Sequence, residues 1–469
     1  MKKYLLLLLF SPTLWAEIAP TEIYFPTVTP LNMAKDENDV SPTMNVAMVR
    51  QKLLQDQQST YYLLNQAIDV NDFPKIAFLL PIYQSFPHQD EILVLFAQGK
   101  LAAANQNYVE SIDYYQQILV KKPKLNPVRI ELAKSLYLNK QYQQAEMELN
   151  QVKKEKLPKQ IHQLVDHYLQ RIDFSQQWKM DVGLSFLNDR NINNVANNRH
   201  IENTGFIKND EMMPKSEQGV ATWLNISRNK NIDGHHFVLF ENELFSKYYW
   251  TNKDYNDVNN RVSLGYQYQD VKQQWYISPF FDNRWYSNKR YNQALGVKLN
   301  YQRWINPSWQ VATYFEHSDP HYREYQELNG KVDFISLSLL WLQNPTQYFS
   351  FGLSANREKT QTAYYGSNTY SARMGWVKYW PTSWASNISF IYSQRKFHDM
   401  ARFGQLLPLG KTREDKQYQI KLTLWKNDWS ILGLTPKVAF SWKKNDSNLP
   451  SLYSYHKNEV NLLFEKSFR

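Results

Sequence analysis

The feature that most limits how this chain can fold is a change in the spacing of its apolar residues at Trp178. Before Trp178, apolar residues recur at i, i+3 and i+4, and after it they alternate with polar residues to the end of the chain. The first spacing places apolar side chains on one face of a helix, and the second places them on one face of a strand. The chain is therefore predicted to combine an N-terminal helical region with a C-terminal β region.

The β region is predicted to hold fourteen strands, an even number. Each carries an alternating set of apolar residues bounded by polar or turn-forming segments. The predicted strands contain residues 180–186, 220–226, 235–249, 262–268, 273–287, 295–301, 309–315, 335–341, 349–355, 369–380, 384–392, 418–424, 438–442 and 460–468.

The connections between these strands favour a transmembrane barrel over a soluble β domain. They are mostly long after odd strands, at 188–217, 250–257, 318–329, 357–368, 397–413 and 445–455, and short after even strands. Outer-membrane barrels have this alternation, with short periplasmic turns and long outer loops. Tryptophans flank the short connections, where an inner aromatic girdle lies, at Trp304, Trp309, Trp341, Trp380, Trp384, Trp425 and Trp429. The mean hydropathy of −0.61 agrees with a barrel, because only alternate residues of each strand face lipid.

The helical region contains two matching stretches that are 34 residues apart. Aligned pairs have small or aromatic side chains at the predicted helix contacts, and a looser third copy lies at 72–87. This period is typical of tetratricopeptide repeats, whose stacked hairpins form a groove for an extended or helical partner, and an unrelated helical bundle is the alternative. The predicted repeat-packing residues are Gly99, Tyr108, Ser111, Tyr115, Ala133, Tyr142, Ala145 and Leu149.

The N-terminus is predicted to direct export. Lys2 and Lys3 precede the apolar run 4–10, and Ala16 supplies a small residue for cleavage, so residues 1–16 are predicted to be a signal peptide. Residues 17–45 contain four prolines among polar residues and are predicted to form an extended or disordered arm. The predicted domains are then a helical repeat domain at 46–175 and a barrel at 176–469.

Charge and cysteine content exclude several functions. Residues 17–175 carry 16 Lys+Arg against 18 Asp+Glu, whereas residues 176–469 carry 36 against 26, so the basic excess belongs to the barrel. These cations form no run or stripe, and an exported protein does not meet nucleic acid, so nucleic-acid binding is not predicted. The chain has no Cys, which excludes thiol nucleophiles, disulfides and Cys-ligated metals.

The search for catalytic or metal-binding patterns yields no predicted site, enzymatic activity or cofactor. His317 and His321 with Asp319 have metal-like spacing but are expected in a solvated outer loop. Glu241 and Glu243 are interpreted as lumen-facing charges because they are two residues apart on a strand, and no nucleophile-elbow motif accompanies them.

The C-terminal stretch 433–468 resembles the closing hairpin of the surface lipoprotein assembly modulators (Slam proteins). The resemblance lies mainly in an N-D-S-N-x-P loop followed by Y-S-Y. The positions that carry it are Pro436, Asn445, Asp446, Ser447, Pro450, Tyr453, Tyr455 and Phe468. The resemblance implies a signal peptide, periplasmic tetratricopeptide repeats and a fourteen-stranded barrel in the outer membrane of a Gram-negative bacterium.

The same resemblance implies that the chain moves a specific client protein across the outer membrane to the cell surface. Clients of the family are surface lipoproteins, often receptors for host iron or haem carriers, and in some branches soluble secreted haem-binding proteins. The implied partners are this client, outer-membrane lipids, the barrel assembly machinery and periplasmic chaperones. A polysaccharide-export porin with tetratricopeptide repeats and a passive porin remain as alternatives.

Overall fold

The computed structural model describes residues 46–202, 204–403 and 407–468. The predicted signal peptide and extended arm lie outside these residues. Eight helices come first: α1 (Val46–Leu53), α2 (Gln57–Asp69), α3 (Phe73–Gln84), α4 (Glu91–Ala104), α5 (Tyr108–Lys121), α6 (Asn126–Leu138), α7 (Tyr142–Lys153) and α8 (Lys159–Ser175). None of the described helices is long and apolar enough to cross a membrane.

The helices form three consecutive hairpins, α2–α3, α4–α5 and α6–α7, followed by α8. The short turn inside each hairpin contains a residue with positive φ, at Asn71, Gln106 and Lys140. These positions are 35 and 34 residues apart, so the backbone repeats with the period that the sequence predicts. The looser third copy at 72–87 corresponds to α3, the second helix of the first hairpin.

Several of the helices begin at an aspartate that caps free backbone amides. The carboxylates of Asp56, Asp72 and Asp90 accept hydrogen bonds from backbone N–H groups two or three residues later, at 3.0, 3.1 and 2.9 Å. Such caps satisfy amides that a helix leaves unpaired at its first turn. Apolar side chains then fill the space between the hairpins, with Leu64, Ile76 and Leu149 almost fully buried.

Fourteen antiparallel strands follow and close into a barrel in which each strand pairs with its sequence neighbours and β1 pairs with β14. Their bounds are β1 Lys179–Asp189, β2 Glu217–Asp233, β3 His236–Tyr249, β4 Asp257–Gln269, β5 Gln273–Tyr286, β6 Lys289–Asn306, β7 Trp309–Tyr322, β8 Gly330–Asn344, β9 Gln347–Thr360, β10 Ser367–Tyr379, β11 Trp384–Phe403, β12 Leu407–Lys426, β13 Thr435–Ser447 and β14 Tyr455–Phe468. A short helix, α9 (Pro450–Tyr453), lies between β13 and β14. The predicted fold class, helical repeats followed by a fourteen-stranded barrel, is confirmed.

Three details of the sequence prediction are wrong. Residues 397–413 are not a loop, because β11 and β12 remain paired up to Phe403 and Leu407, with bulges after Lys396. The connection 427–434 after β12 is long, although it follows an even strand. His317 and His321 lie on β7 rather than in a loop. In each case the hydrogen-bonded strand and the alternation of apolar residues end at different positions. Only the alternation can be seen in the sequence.

The outward face carries part of the predicted aromatic girdle at its inner end, namely Trp309 and Trp341. Trp309, Trp341, Phe349 and Trp376 lie side by side on β7 to β10, with neighbouring ring centroids 5.3–6.4 Å apart and nearly parallel planes. Amphipathic rings favour the boundary between lipid and water. The short turns beside this girdle therefore mark the inner, periplasmic end of the barrel.

Candidate functional site

The helical repeats contact the inner end of the barrel at the β2–β3 turn. The backbone N–H of Gln143 donates to the Asn231 side-chain oxygen at 2.9 Å, and the Gln144 amide donates to Asp233 at 3.3 Å. The Tyr142 ring packs edge-on against the buried Phe237 ring, with centroids 5.9 Å apart. The third hairpin is therefore joined to the barrel wall by apolar packing as well as hydrogen bonds.

The segment that links α8 to β1 is held at the same place. The Gln176 side-chain oxygen accepts a hydrogen bond from the Asn231 backbone N–H at 3.0 Å, and its backbone carbonyl accepts one from Arg228 at 3.1 Å. The Arg228 guanidinium also lies 5.4 Å from the centre of the Trp178 ring. Both ends of the contact, α7 and the linker, thus meet the same turn, and this fixes the repeats beside the inner mouth.

Inside the barrel, strands β3 to β7 are joined by buried ion pairs. Arg261 donates to Asp282 through two hydrogen bonds of 2.8 Å and to Glu316 through bonds of 2.8 and 3.0 Å. Arg284 forms a bidentate pair with Asp257 at 2.9 and 2.7 Å. Bidentate pairing restores the interactions that burial removes from both charges.

Glu241 and Glu243 face this lumen, where Lys298 lies 2.7 Å from the first and 3.4 Å from the second. They are paired charges of a polar interior. Among residues 46–202, 204–403 and 407–468, no group of three or more His, Asp or Glu side chains is arranged to hold a metal ion. His317 instead bonds Asp333 at 2.7 Å, and the His321 ring contacts the Asp319 carbonyl.

The outer half of the lumen encloses a cavity of about 190 Å³. Charged side chains from several strands line it, including Asp189, Lys247, Lys443, Lys457 and Glu459. Lys457 joins β14 to the end of β1 through a 3.0 Å contact with Asp189. The cavity is polar, which suits a hydrated path rather than a site for an apolar ligand.

Residues 190–202 and 204–216, which connect β1 to β2, contact the β13–β14 connection at the outer end of the barrel, and we call them the cap segment. Its apolar side chains Ile192, Val195, Ala196 and Ile201 are buried. The backbone N–H of Ala196 donates to the Leu452 carbonyl of α9 at 3.1 Å. The cap segment therefore rests on the connection between β13 and β14.

Lys208 belongs to the cap segment and is hydrogen-bonded both to that segment and to α9. Its side chain is 2% exposed, and its Nζ donates to the carbonyl oxygens of Ala196 at 2.6 Å and Ser451 at 3.0 Å. Burial lowers the pKa of Lys208 to about 8. A cation is costly to bury without a carboxylate partner, so the two carbonyl acceptors are what stabilise the Lys208 ammonium in this contact.

The seam between β1 and β14 is short. The two strands pair over seven residues, from Met180 opposite Phe468 to Phe186 opposite Leu462. On its other side β1 pairs with β2 over eleven residues, up to Asp189. Above Phe186 the ladder is replaced by the contact between the cap segment and α9, so side-chain and loop contacts close the outer part of the seam.

The predicted repeat residues all lie in the hairpins α4–α5 and α6–α7. Gly99 leaves room for the Tyr115 ring, because a Cβ at Gly99 would lie 2.5 Å from that ring. The hydroxyls of Ser111 and Ser135 are 2.9 Å apart in the core. Of the predicted set, Tyr108 is half-buried, and the others are buried: Gly99, Ser111, Tyr115, Ala133, Tyr142, Ala145 and Leu149.

The residues that carry the family resemblance shape the β13–β14 connection. Asn445 donates to the Tyr453 carbonyl at 2.8 Å, and Ser447 accepts from the Leu449 N–H at 3.2 Å. The Tyr453 ring lies 3.4 Å below the Arg413 guanidinium. Asp446 forms an ion pair with Lys444, Pro450 begins α9, and Tyr455 begins β14. In the strand register, Pro436 lies opposite Phe464 and Phe468 lies opposite Met180.

Sequence reasoning missed the cations that form ion pairs in the lumen and the lysine that joins the cap segment to α9. Arg261, Arg284 and Lys298 lie at inward positions of predicted strands, so the alternation of inward and outward residues could have assigned them to the lumen. Lys208 had no such signal, because its partner Ser451 is 243 residues away along the chain.

The fold and the attachment of the repeats at the inner end define an outer-membrane β-barrel with helical repeats in the periplasm. The family model described as surface lipoprotein assembly modifier matches residues 178–468, and that of its N-terminal TPR repeats matches residues 46–149. The first match covers more than half of the chain. The chain therefore belongs to the surface lipoprotein assembly modifier family.

Individual relatives agree with this membership. The chain is 29% identical to surface lipoprotein assembly modifier 1 of Haemophilus influenzae, over 86% of this chain and 83% of the relative. It is 26% identical to surface lipoprotein assembly modifier 1 of Neisseria meningitidis serogroup B, over 99% and 96%. It is 23% identical to the hemophilin secretion modulator of Acinetobacter baumannii, over 84% and 82%.

Proposed function

We propose that this protein is an outer-membrane translocator that delivers a specific client protein to the cell surface. The observation that carries the proposal is the direct attachment of the repeats to the inner mouth of the barrel, through Tyr142, Gln143 and Gln176. Tetratricopeptide-type repeats bind extended or helical segments in a groove. A segment held there lies at the entrance of the lumen.

The client is proposed to be a surface lipoprotein or a secreted protein of haem or iron acquisition. The names of the relatives include surface lipoprotein assembly and hemophilin secretion, which supports both kinds. We propose that the repeats hold the client partly unfolded, that the lumen conducts it, and that client folding outside supplies the driving force. The role is transport rather than catalysis. The barrel assembly machinery and periplasmic chaperones are proposed to act on the chain and its client.

The outer mouth must open for a chain to leave, and the cap segment is the element proposed to move. The closing hairpin residues Asn445 and Tyr453 hold α9, and α9 provides the surface on which the cap segment rests. We propose that this is the role of the residues that resemble the family hairpin. When the cap segment lifts, the outer part of the β1–β14 seam loses its closure.

Deletion of the protein followed by surface labelling of intact cells tests the function. We expect one client protein to disappear from the surface while surface polysaccharide and small-solute uptake remain unchanged. Loss of polysaccharide instead would identify an export porin, and altered solute uptake alone would identify a passive porin. Unchanged surface proteins would refute the proposal.

A cysteine lock tests the path. Because the chain has no Cys, the pair Ala196→Cys and Leu452→Cys introduces a single disulfide between the cap segment and α9. We expect oxidised cells to stop client display and a reductant to restore it. The matched control, Asn193→Cys with Lys215→Cys, joins two neighbours inside the cap segment and leaves it free of α9. Client display at the normal rate through the locked barrel would show that the client leaves by another route.

A further inference from the structure

Three cations form a cluster on the lipid-facing side of the barrel, near its outer end. Lys331 on β8 lies directly opposite Lys359 on β9, and Arg357 lies two residues below Lys359 on the same strand. All three are exposed. They share the outward face with the exposed Ile335 and Leu353, whereas Glu358 between them points inward and is buried. We call Lys331, Arg357 and Lys359 the outer-rim patch.

The height of the patch can be derived from the strand geometry. Lys331 lies ten residues along β8 from Trp341, which belongs to the stacked aromatic girdle at the inner end. With a rise of about 3.4 Å per residue and a strand tilt of about 40°, ten residues climb roughly 25 Å along the membrane normal. This equals the height of the apolar band of such barrels, so the patch lies level with the outer headgroups.

The patch lacks local neutralisation. Within the part of the chain that the structure describes, none of its three side chains forms an ion pair with a carboxylate. Asp333 lies opposite Arg357 in the strand register, and its oxygen bonds His317 at 2.7 Å. Like charges placed directly opposite each other destabilise a strand pair. The Lys331–Lys359 pair therefore favours an anion that contacts both.

Other sectors of the outer rim differ. The corresponding outward row on β4, β5 and β6 holds the uncharged Asn260, Asn283 and Gln293 in register. On β13, Lys444 is paired with Asp446 at 2.8 Å. The outward row on β4 to β6 is therefore uncharged, and Lys444 on β13 is neutralised.

We propose that the outer-rim patch binds the phosphate groups of an anionic lipid in the outer leaflet, a phosphorylated glycolipid. Lys331 and Lys359 are placed to share one phosphate, and Arg357 contributes planar donors slightly closer to the membrane. The acyl chains of that lipid continue onto the exposed apolar side chains Ile335 and Leu353 below. A ligand with an anionic head and an apolar body matches both parts of this surface.

The position of the patch sets it apart from the proposed exit. In the closed order of fourteen strands, β8 lies seven positions from β1, on the side opposite the β1–β14 seam. A lipid bound at the outer-rim patch therefore holds the wall that does not open. This binding does not depend on whether the barrel transports a client.

The test uses the purified full-length chain in detergent, with diphosphoryl lipid A as the probe and native mass spectrometry to count bound lipid. The patch variant is Lys331→Gln/Arg357→Gln/Lys359→Gln. The control variant is Lys416→Gln/Lys444→Gln, which removes two cations from the outward face of β12 and β13. Heat-modifiable migration on gels verifies that both variants form closed barrels.

We expect the patch variant to bind the probe about a hundredfold more weakly, because each cation near an anionic lipid surface contributes roughly a factor of five. The control should bind as the unchanged chain does. Lipid A without phosphates should bind weakly to all three chains, and excess inorganic phosphate should not displace the diphosphoryl probe. Equal loss in both variants, undiminished binding by the patch variant, or displacement by free phosphate would overturn the proposal.

Discussion

The helical repeats and the barrel place opposite kinds of residue in their interiors. In the repeats Tyr115 and Leu149 are at most 1% exposed, whereas in the barrel Asp257 and Arg284 are at most 3% exposed and Leu353 is 62% exposed on the outside. The repeats have water around them, so burial of apolar surface stabilises them. The barrel has lipid around it, so its apolar side chains face outward and its interior is free to hold charges.

Buried residues are therefore stabilised by different interactions in the two regions. A buried residue of the repeats is held by apolar contacts with its neighbours, as Gly99 and Tyr115 show. A buried residue of the lumen is held by hydrogen bonds and charge, as in the pair of Arg284 and Asp257. Substitutions at equally buried positions should therefore lower the stability of the two regions for different reasons.

The largest expected effect comes from the lumen. Asp257→Ala leaves the buried Arg284 guanidinium without its partner, and breaking such a pair costs about 3–5 kcal/mol. The double variant Asp257→Leu/Arg284→Met removes both charges and should cost much less. Denaturant unfolding of the barrel in lipid vesicles, followed by Trp fluorescence, measures both. A double variant as unstable as the single one would show that packing rather than charge dominates the lumen.

The next effect compares one substitution in the two regions. Leu149→Ala creates a cavity between helices and should destabilise the repeats by about 2–5 kcal/mol. Leu353→Ala, on the lipid-facing surface of β9, should change barrel stability by less than about 1 kcal/mol, because lipid chains fill the space. Thermal unfolding observed by circular dichroism for helices and by Trp fluorescence for the barrel provides the two values. Similar losses at both sites would contradict the contrast between the interiors.

A smaller effect is expected at the outer mouth. Lys208→Met leaves the carbonyl oxygens of Ala196 and Ser451 without their donor, a cost of about 1–3 kcal/mol to the cap contact. Arg199→Gln removes the exposed ion pair of Arg199 with Asp210 in the same segment and should have little effect. Hydrogen exchange of residues 190–216 measures opening in each variant. Equal exchange in the two variants would show that Lys208 does not stabilise the contact between the cap segment and α9.

The smallest effect is a pH dependence of the same contact. Since burial lowers the pKa of Lys208 to about 8, the closed cap binds fewer protons than the open one between pH 8 and the ordinary lysine pKa. Closure should therefore strengthen as pH rises through this window, and Lys208 should contribute no pH dependence below it. Between about pH 7.5 and about pH 9.5, cleavage of the cap segment by an added protease, taken relative to the Lys208→Met variant, should fall by up to about twentyfold. A constant ratio would show that Lys208 keeps its proton in both states.

Much of the architecture was predictable because it depends on periodic patterns. The 34-residue offset located the hairpins, and alternation located all fourteen strands, with ends that differ from those observed by up to seven residues, or eleven in β11 and β12. The hairpin of β11 and β12 was missed beyond Lys396 because its backbone pairs above the membrane, where polar side chains on both faces conceal the period. The long 427–434 connection was missed for a related reason, since backbone pairing ends there without a change in composition.

The candidate site was less predictable. Glu241 and Glu243 could be assigned to the lumen because inward and outward residues alternate along a strand. Their partner Lys298 lies on a different strand, and alternation does not show which side chains meet across the lumen. The basic excess of the barrel was visible, yet the sequence could not divide it between lumen and surface. In the fold, Arg261 and Arg284 are paired inside the lumen, and an unneutralised group lies outside at Lys331, Arg357 and Lys359.

The sequence alone determined the order of the two regions, the number of strands and which ends of the barrel face the periplasm. Those properties follow from local periods, turn lengths and the position of Trp residues, all of which act over a few neighbouring residues. The attachment of Tyr142 to Phe237, the contact of Lys208 with α9 and the short β1–β14 seam were decided only when the chain folded. They join residues that are 95, 243 and about 280 positions apart, and a contact of that kind exists only once barrel closure brings distant segments together.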